Sequence, residues 1–66
     1  MKNNLKVERA IKDFTQEELA NKVNVSRQTI NAIEKNKYVP SAVLVLKIAK
    51  IFDKNVEEIF FLEESD

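Results

Sequence analysis

The chain has 66 residues, with eleven Lys/Arg, eleven Asp/Glu, no histidine and no cysteine, and its formal net charge is zero. Those counts exclude a disulfide framework and a His/Cys zinc site, so neither cofactor nor metal is expected. A domain this small buries only about 60% of the surface its unfolded form exposes, which makes pairing with a second copy the expected source of extra stability.

No apolar run approaches the ~18–20 residues that cross a bilayer, and Met1-Lys2-Asn3-Asn4 does not open a signal peptide. A soluble, cytoplasmic protein with no membrane partner is therefore expected. The charges are unevenly placed: residues 1–37 hold eight Lys/Arg and five Asp/Glu, whereas residues 38–66 hold three and six. The N-terminal half is thus the one suited to a phosphate backbone.

Glycine is absent, the single proline is Pro40, and alternating β-branched residues are scarce. The pattern reads as all-α, with a short strand at each end. A first helix is expected over Leu5 to Lys12, with Leu5, Ala10 and Ile11 as its apolar side. Thr15 opens the second helix (16–23) as N-cap. Glu18, three residues on, completes a capping box, and Phe14 and Leu19 form the hydrophobic staple. Ser26 caps the third helix (27–35), with Val25 stapling to Ile30. Its third residue is Thr29 and not Glu, so that box is incomplete.

Pro40-Ser41 opens a fourth helix reaching Phe52. It is apolar nearly all round apart from Lys47 and Lys50, which predicts burial on more than one side. Asn55 caps a fifth helix, with Glu58 closing a second box-like pair and Ile59 and Phe60 turned inward. Asn24, Asn36 and Asp53 stand where helix ends ordinarily ask for glycine. They are of the two non-glycine types that best tolerate the left-handed conformation.

Leu19, Ala20, Val23, Val25, Ile30 and Ile33 describe two short helices meeting at a tight turn, a helix-turn-helix. At about 100° per residue, Ile30 and Ile33 set the buried side of the third helix. The opposite side collects Gln28, Asn31, Ala32 and Lys35, with Arg27 at its edge and Glu34 rotated back toward the core. Asn and Gln can bind adenine N6 and N7, and Arg can bind guanine O6 and N7. Arg27, Gln28 and Asn31 are accordingly expected to touch bases. Gln16, at the head of the second helix, can offer side chain and amide to a phosphate. Ser26, Thr29, Lys35, Lys37 and Tyr38 complete the expected backbone contacts.

These residues resemble the Cro/repressor-type helix-turn-helix, the xenobiotic-response-element (XRE) family of transcriptional regulators, in its short stand-alone form. The likeness runs from Leu5 to Phe60. It is densest in TQEELANKVNVSRQTINAIEKNKYVPS (Thr15 to Ser41) and KIAKIFDKNVEEIF (Lys47 to Phe60). It implies a single lambda-repressor-like domain over residues 1–66, with five helices, a short two-stranded antiparallel sheet joining the chain ends, and a dimeric state. It also implies that Gln16 contacts phosphate, that Arg27, Gln28 and Asn31 read bases, and that Arg9 and Glu34 form a partly buried salt bridge. Ala32 stands where some relatives carry a longer reading side chain, so the recognised sequence does not carry over.

Ile59-Phe60-Phe61-Leu62 is too apolar for one short helix to bury. Phe60 is expected to close the core while Phe61 or Leu62 pairs with residues 1–4, and Ile59, Phe61 and Leu62 are the expected dimer contacts. Glu63-Glu64-Ser65-Asp66 reads as a solvated acidic tail. The functional expectation is a repressor that binds double-stranded operator DNA as a homodimer, with no small-molecule ligand. The alternative is a protein-interaction module on the same fold, such as an antitoxin or an adaptor. An enzyme is not expected, because histidine, cysteine and a glycine-rich phosphate loop are all missing.

Overall fold

The computed structural model describes residues 1–66, and its elements follow the order β1 (Lys2–Asn3), α1 (Leu5–Lys12), α2 (Gln16–Val23), α3 (Arg27–Glu34), α4 (Ala42–Phe52), α5 (Val56–Ile59) and β2 (Phe60–Phe61). The two strands pair antiparallel, Lys2 opposite Phe61 and Asn3 opposite Phe60, so the chain ends are joined in one short ribbon. No helix is long and apolar enough to cross a membrane.

Local chemistry accounts for the boundaries. The Thr15 hydroxyl accepts from the Glu18 amide at 3.0 Å while the Thr15 amide donates to Glu18 Oε1 at 2.9 Å, a complete capping box. Those bonds hold the Glu18 carboxyl below its usual range, and Lys22 adds to the effect. Ser26 and Ser41 cap α3 and α4 through their hydroxyls. At the head of α5 the Asn55 amide donates to Glu58 Oε1 at 3.1 Å.

The expected left-handed positions adopt φ of 62° at Asn24, 58° at Asn36 and 53° at Asp53, and Asp13, at 59°, is a fourth that pattern reading passed over. Asp13 ends α1 by directing its own amide and that of Phe14 back to the Ala10 and Arg9 carbonyls. Four helix ends thus turn without glycine, each at an Asn or Asp whose short polar side chain lowers the steric cost.

The core is a single cluster drawn from all five helices and β2, centred on Leu5, Leu19, Ile30, Ile33, Ile48 and Ile59. Phe14 closes one end of it, its ring 6.1 Å from that of Phe52 and beneath the Lys22 ammonium at 4.9 Å.

Two expectations about helix faces need correction. In α1 the inward residues are Leu5 and Glu8, with Arg9 half-buried, while Ala10 and Ile11 lie exposed together with Val7. Charge took the inner face because both charged groups find partners there: Lys54 Nζ sits 2.8 Å from Glu8 Oε2, and Arg9 meets Glu34. In α4, Leu44, Ile48, Ala49 and Phe52 face the core, whereas Val43 and Leu46 stay largely in solvent. The helix is buried along one side in the monomer, not along several.

The acidic end also departs from a free tail. The Met1 amino group lies 3.2 Å from Glu63 and 3.1 Å from Asp66, so the tail folds over the start of β1.

The Glu8–Lys54 contact carries a pH signature. The hydrogen bond it donates to Glu8 holds the Lys54 ammonium above its ordinary value of 10.5, with smaller contributions from the charges of Glu8 and Glu58. A folded-state pKa raised in this way stabilises fully below pH 10.5, and the contribution is lost as pH rises through the folded value. Lys54→Met is expected to melt below wild type at neutral pH, and the gap is expected to narrow above that value. A gap of constant size across a pH series of melting curves contradicts this assignment.

Candidate nucleic-acid interface

The turn between α2 and α3 is short because Asn24 reverses the chain and Ser26 at once recaps it. Val25 lies between them, its amide bonded to the Ala20 carbonyl at 3.0 Å. Val23, Ile30 and Ile33 fill the angle between the two helices, which fixes how far α3 projects. The outward surface of α3 then presents Arg27 and Gln28 exposed, with Asn31 and Ala32 at intermediate depth and Lys35 exposed at its C-cap.

No carboxylate competes on that surface. Glu34, the single acid of α3, is 6% exposed and accepts Arg9 Nε at 2.7 Å on Oε2 and Arg9 Nη2 at 3.1 Å on Oε1. The third arm of Arg9, Nη1, donates to the Phe14 carbonyl at 2.8 Å. The hydrogen bond to Glu34 raises the Arg9 pKa further above its already high value. The fork therefore links α1, α3 and the start of α2 while removing a negative charge from the exposed face.

Gln16 joins this network. Its Nε2 donates to Glu34 Oε1 at 3.1 Å and to Asn31 Oδ1 at 3.2 Å. Both side-chain protons are thereby used inside the protein, which changes the expectation for Gln16. Its carboxamide has no donor left for a phosphate, and what remains is the backbone amide at the first turn of α2, together with that of Glu17. These amides border an open notch of about 390 Å³ lined by Arg9, Thr15, Gln16, Glu17 and Arg27.

The Ser26 and Thr29 hydroxyls lie 3.0 Å apart, and Ser26 Oγ also accepts the Thr29 amide at 3.2 Å. One hydroxyl proton joins the two oxygens, so one remains free to donate outward. Beyond α3, Lys35, Lys37 and Tyr38 are all exposed. Asn3 fastens that end from behind, its Nδ2 donating to the Ile33 carbonyl at 2.9 Å and to Asn36 Oδ1 at 3.3 Å.

Sequence reasoning missed the Gln16 bridge to Asn31 and Glu34, and it missed the Glu8–Lys54 contact. The available signal for the latter was Glu8 three residues after Leu5, on the same helix face.

A helix-turn-helix family model matches residues 5–59. The chain belongs to this family. An uncharacterized HTH-type transcriptional regulator of Methanocaldococcus jannaschii is 56% identical over the full length of both chains. A second, YgzD of Bacillus subtilis, is 50% identical, again over both whole chains. Among solved structures, the restriction-modification controller protein C.AhdI from Aeromonas hydrophila superposes with a TM-score of 0.77 at 30% identity, covering 85% of each chain. As a member of this family of XRE type, the protein is a DNA-binding transcriptional regulator and not an enzyme.

Proposed function

We propose that this regulator represses transcription by occupying a palindromic operator as a homodimer, with α3 of each copy in the major groove. One observation carries the reading. The exposed side of α3 holds Arg27, Gln28, Asn31 and Lys35 and no acid, because Glu34 is turned inward onto Arg9. Arg27, Gln28 and Asn31 are the proposed base contacts. The backbone amide of Gln16, the free hydroxyl of the Ser26–Thr29 pair, Lys35, Lys37 and Tyr38 are the proposed phosphate contacts, which set register without reading sequence.

Dimerisation supplies the reach. Two recognition helices one duplex turn apart stand about 34 Å from each other. The monomer measures 31 × 23 × 20 Å, so two copies side by side have the required span. Of the three residues expected at the contact, Ile59 is removed by the fold: it is 0% exposed within one copy, whereas Phe61 is 38% and Leu62 is 83% exposed. Phe61 and Leu62 are the proposed contacts.

Leu62 is the residue to test. Burying a leucine contributes roughly 1.5–3 kcal/mol, and a two-fold contact counts it twice, so Leu62→Glu is expected to weaken association by about a hundredfold or more. Sedimentation equilibrium measures this directly, with circular dichroism checking that the fold is unchanged. Wild type that stays monomeric at concentrations saturating its operator rejects the homodimer. A Leu62→Glu protein that pairs as well as wild type places the contact elsewhere, the exposed Val43–Leu46 side of α4 being the next candidate.

A further inference from the structure

The hydrogen bonds beneath α3 run in one direction only, and that direction fixes what Asn31 shows to DNA. Arg9 can only donate, and an ionised Glu34 can only accept. The Gln16 atom 3.1 Å from Glu34 Oε1 must therefore be its amide nitrogen, not its oxygen. The second proton on that nitrogen meets Asn31 at 3.2 Å, so the Asn31 atom there must be the oxygen Oδ1. Asn31 Nδ2 is then left on the other side of the carboxamide with no partner in the protein. It touches solvent, because no buried side-chain nitrogen or oxygen lacks a hydrogen bond.

We infer that Glu34 and Gln16 are specificity-determining positioning residues, which hold Asn31 as a hydrogen-bond donor and make it select a keto base. This rests on the proposed reading that Asn31 faces a base edge. A free asparagine binds adenine by accepting from N6 and donating to N7 together. Here Oδ1 is drawn toward α2, so the donor leads. Guanine, through O6 and N7, and thymine, through O4, offer acceptors in the major groove; cytosine N4 opposes the Asn31 protons, and adenine sets its N6 donor beside its one acceptor, N7, with no Asn31 oxygen facing N6. One base position in each half-site is thus expected to favour guanine or thymine over adenine or cytosine, on the order of tenfold.

Gln16→Leu tests the orientation of Asn31. It leaves the Arg9–Glu34 contacts in place and takes away the donor that fixes Asn31 Oδ1. The Asn31 carboxamide is then free to turn and to accept as well as donate. Adenine and cytosine should become admitted at the same position.

The experiment is selection from a pool of random duplexes with wild type, Asn31→Ala and Gln16→Leu, with melting curves confirming that both variants fold. Support is a keto preference in wild type at the one position that Asn31→Ala alters, with that preference relaxed in Gln16→Leu. If Asn31→Ala alters one position and Gln16→Leu leaves it alone, the orienting role is wrong while Asn31 remains a reader. If Asn31→Ala alters no position, the base contact itself is wrong and the inference goes with it.

Discussion

Replacing Glu34 by alanine is expected to remove most of the stability of this domain. The carboxylate is 6% exposed and its Arg9 partner 15% exposed, so the variant leaves Arg9 Nε and Nη2 largely enclosed without an acceptor. Breaking a buried pair from one side costs roughly 3–5 kcal/mol, with the partial exposure of Arg9 favouring the lower end. A domain of this size holds only roughly 3–10 kcal/mol in total. At roughly 4–8 °C per kcal/mol, the melting temperature should fall by tens of degrees.

The double variant Arg9→Met/Glu34→Leu separates stranded charge from lost contact. It removes both ions and refills the volume, and such replacements are often close to neutral. It is therefore expected to recover most of the loss, as read by thermal and urea denaturation. An unchanged melting temperature in Glu34→Ala contradicts the structural role of the pair.

Ile59→Ala is expected to be comparably damaging, and for a different reason. Ile59 ends α5 fully enclosed, and its carbonyl accepts the Asn4 amide at 2.8 Å, so it sits where the terminal ribbon meets the core. Truncating a buried isoleucine costs roughly 2–5 kcal/mol through lost transfer energy and the cavity left behind. Leu62, three residues later, is 83% exposed. Leu62→Ala should change monomer stability by no more than about 0.5 kcal/mol. Urea unfolding at protein concentrations too low for association keeps the dimer out of the comparison. Equal losses in the two variants contradict the division of the Ile59–Leu62 run into core and surface.

The features legible in the sequence were the ones decided locally. Thr15 with Glu18, Ser26, Ser41, and the left-handed Asn24, Asn36 and Asp53 each depend on a few consecutive residues, and each stands where pattern reading put it. The ribbon between residues 2–3 and 60–61 was also readable, since the tail held more apolar side chains than a short helix can cover.

What escaped reading depends on partners far along the chain. Glu8 is buried because Lys54, 46 residues away, reaches it, and that made the inner face of α1 charged where apolar spacing had suggested Ala10 and Ile11. The uncovered Val43 and Leu46 of α4 follow from how many elements the small chain can wrap around one helix, which periodicity does not reveal. At the interface, the inward turn of Glu34 was visible in the helical angles, and the Arg9 pairing followed from family likeness. The Gln16–Asn31 contact needed the angle between α2 and α3, which no spacing rule supplies.

The most direct measurement is selection of bound sequences from random duplexes at ~50 and ~200 mM salt, for wild type and for Gln28→Ala. A reading surface on α3 is expected to enrich a two-fold symmetric site whose affinity falls steeply with salt, with Gln28→Ala changing the preferred base at matching positions of the two halves. No enriched site, or binding indifferent to Gln28, contradicts sequence reading through α3 and leaves the helix-turn-helix to a protein partner.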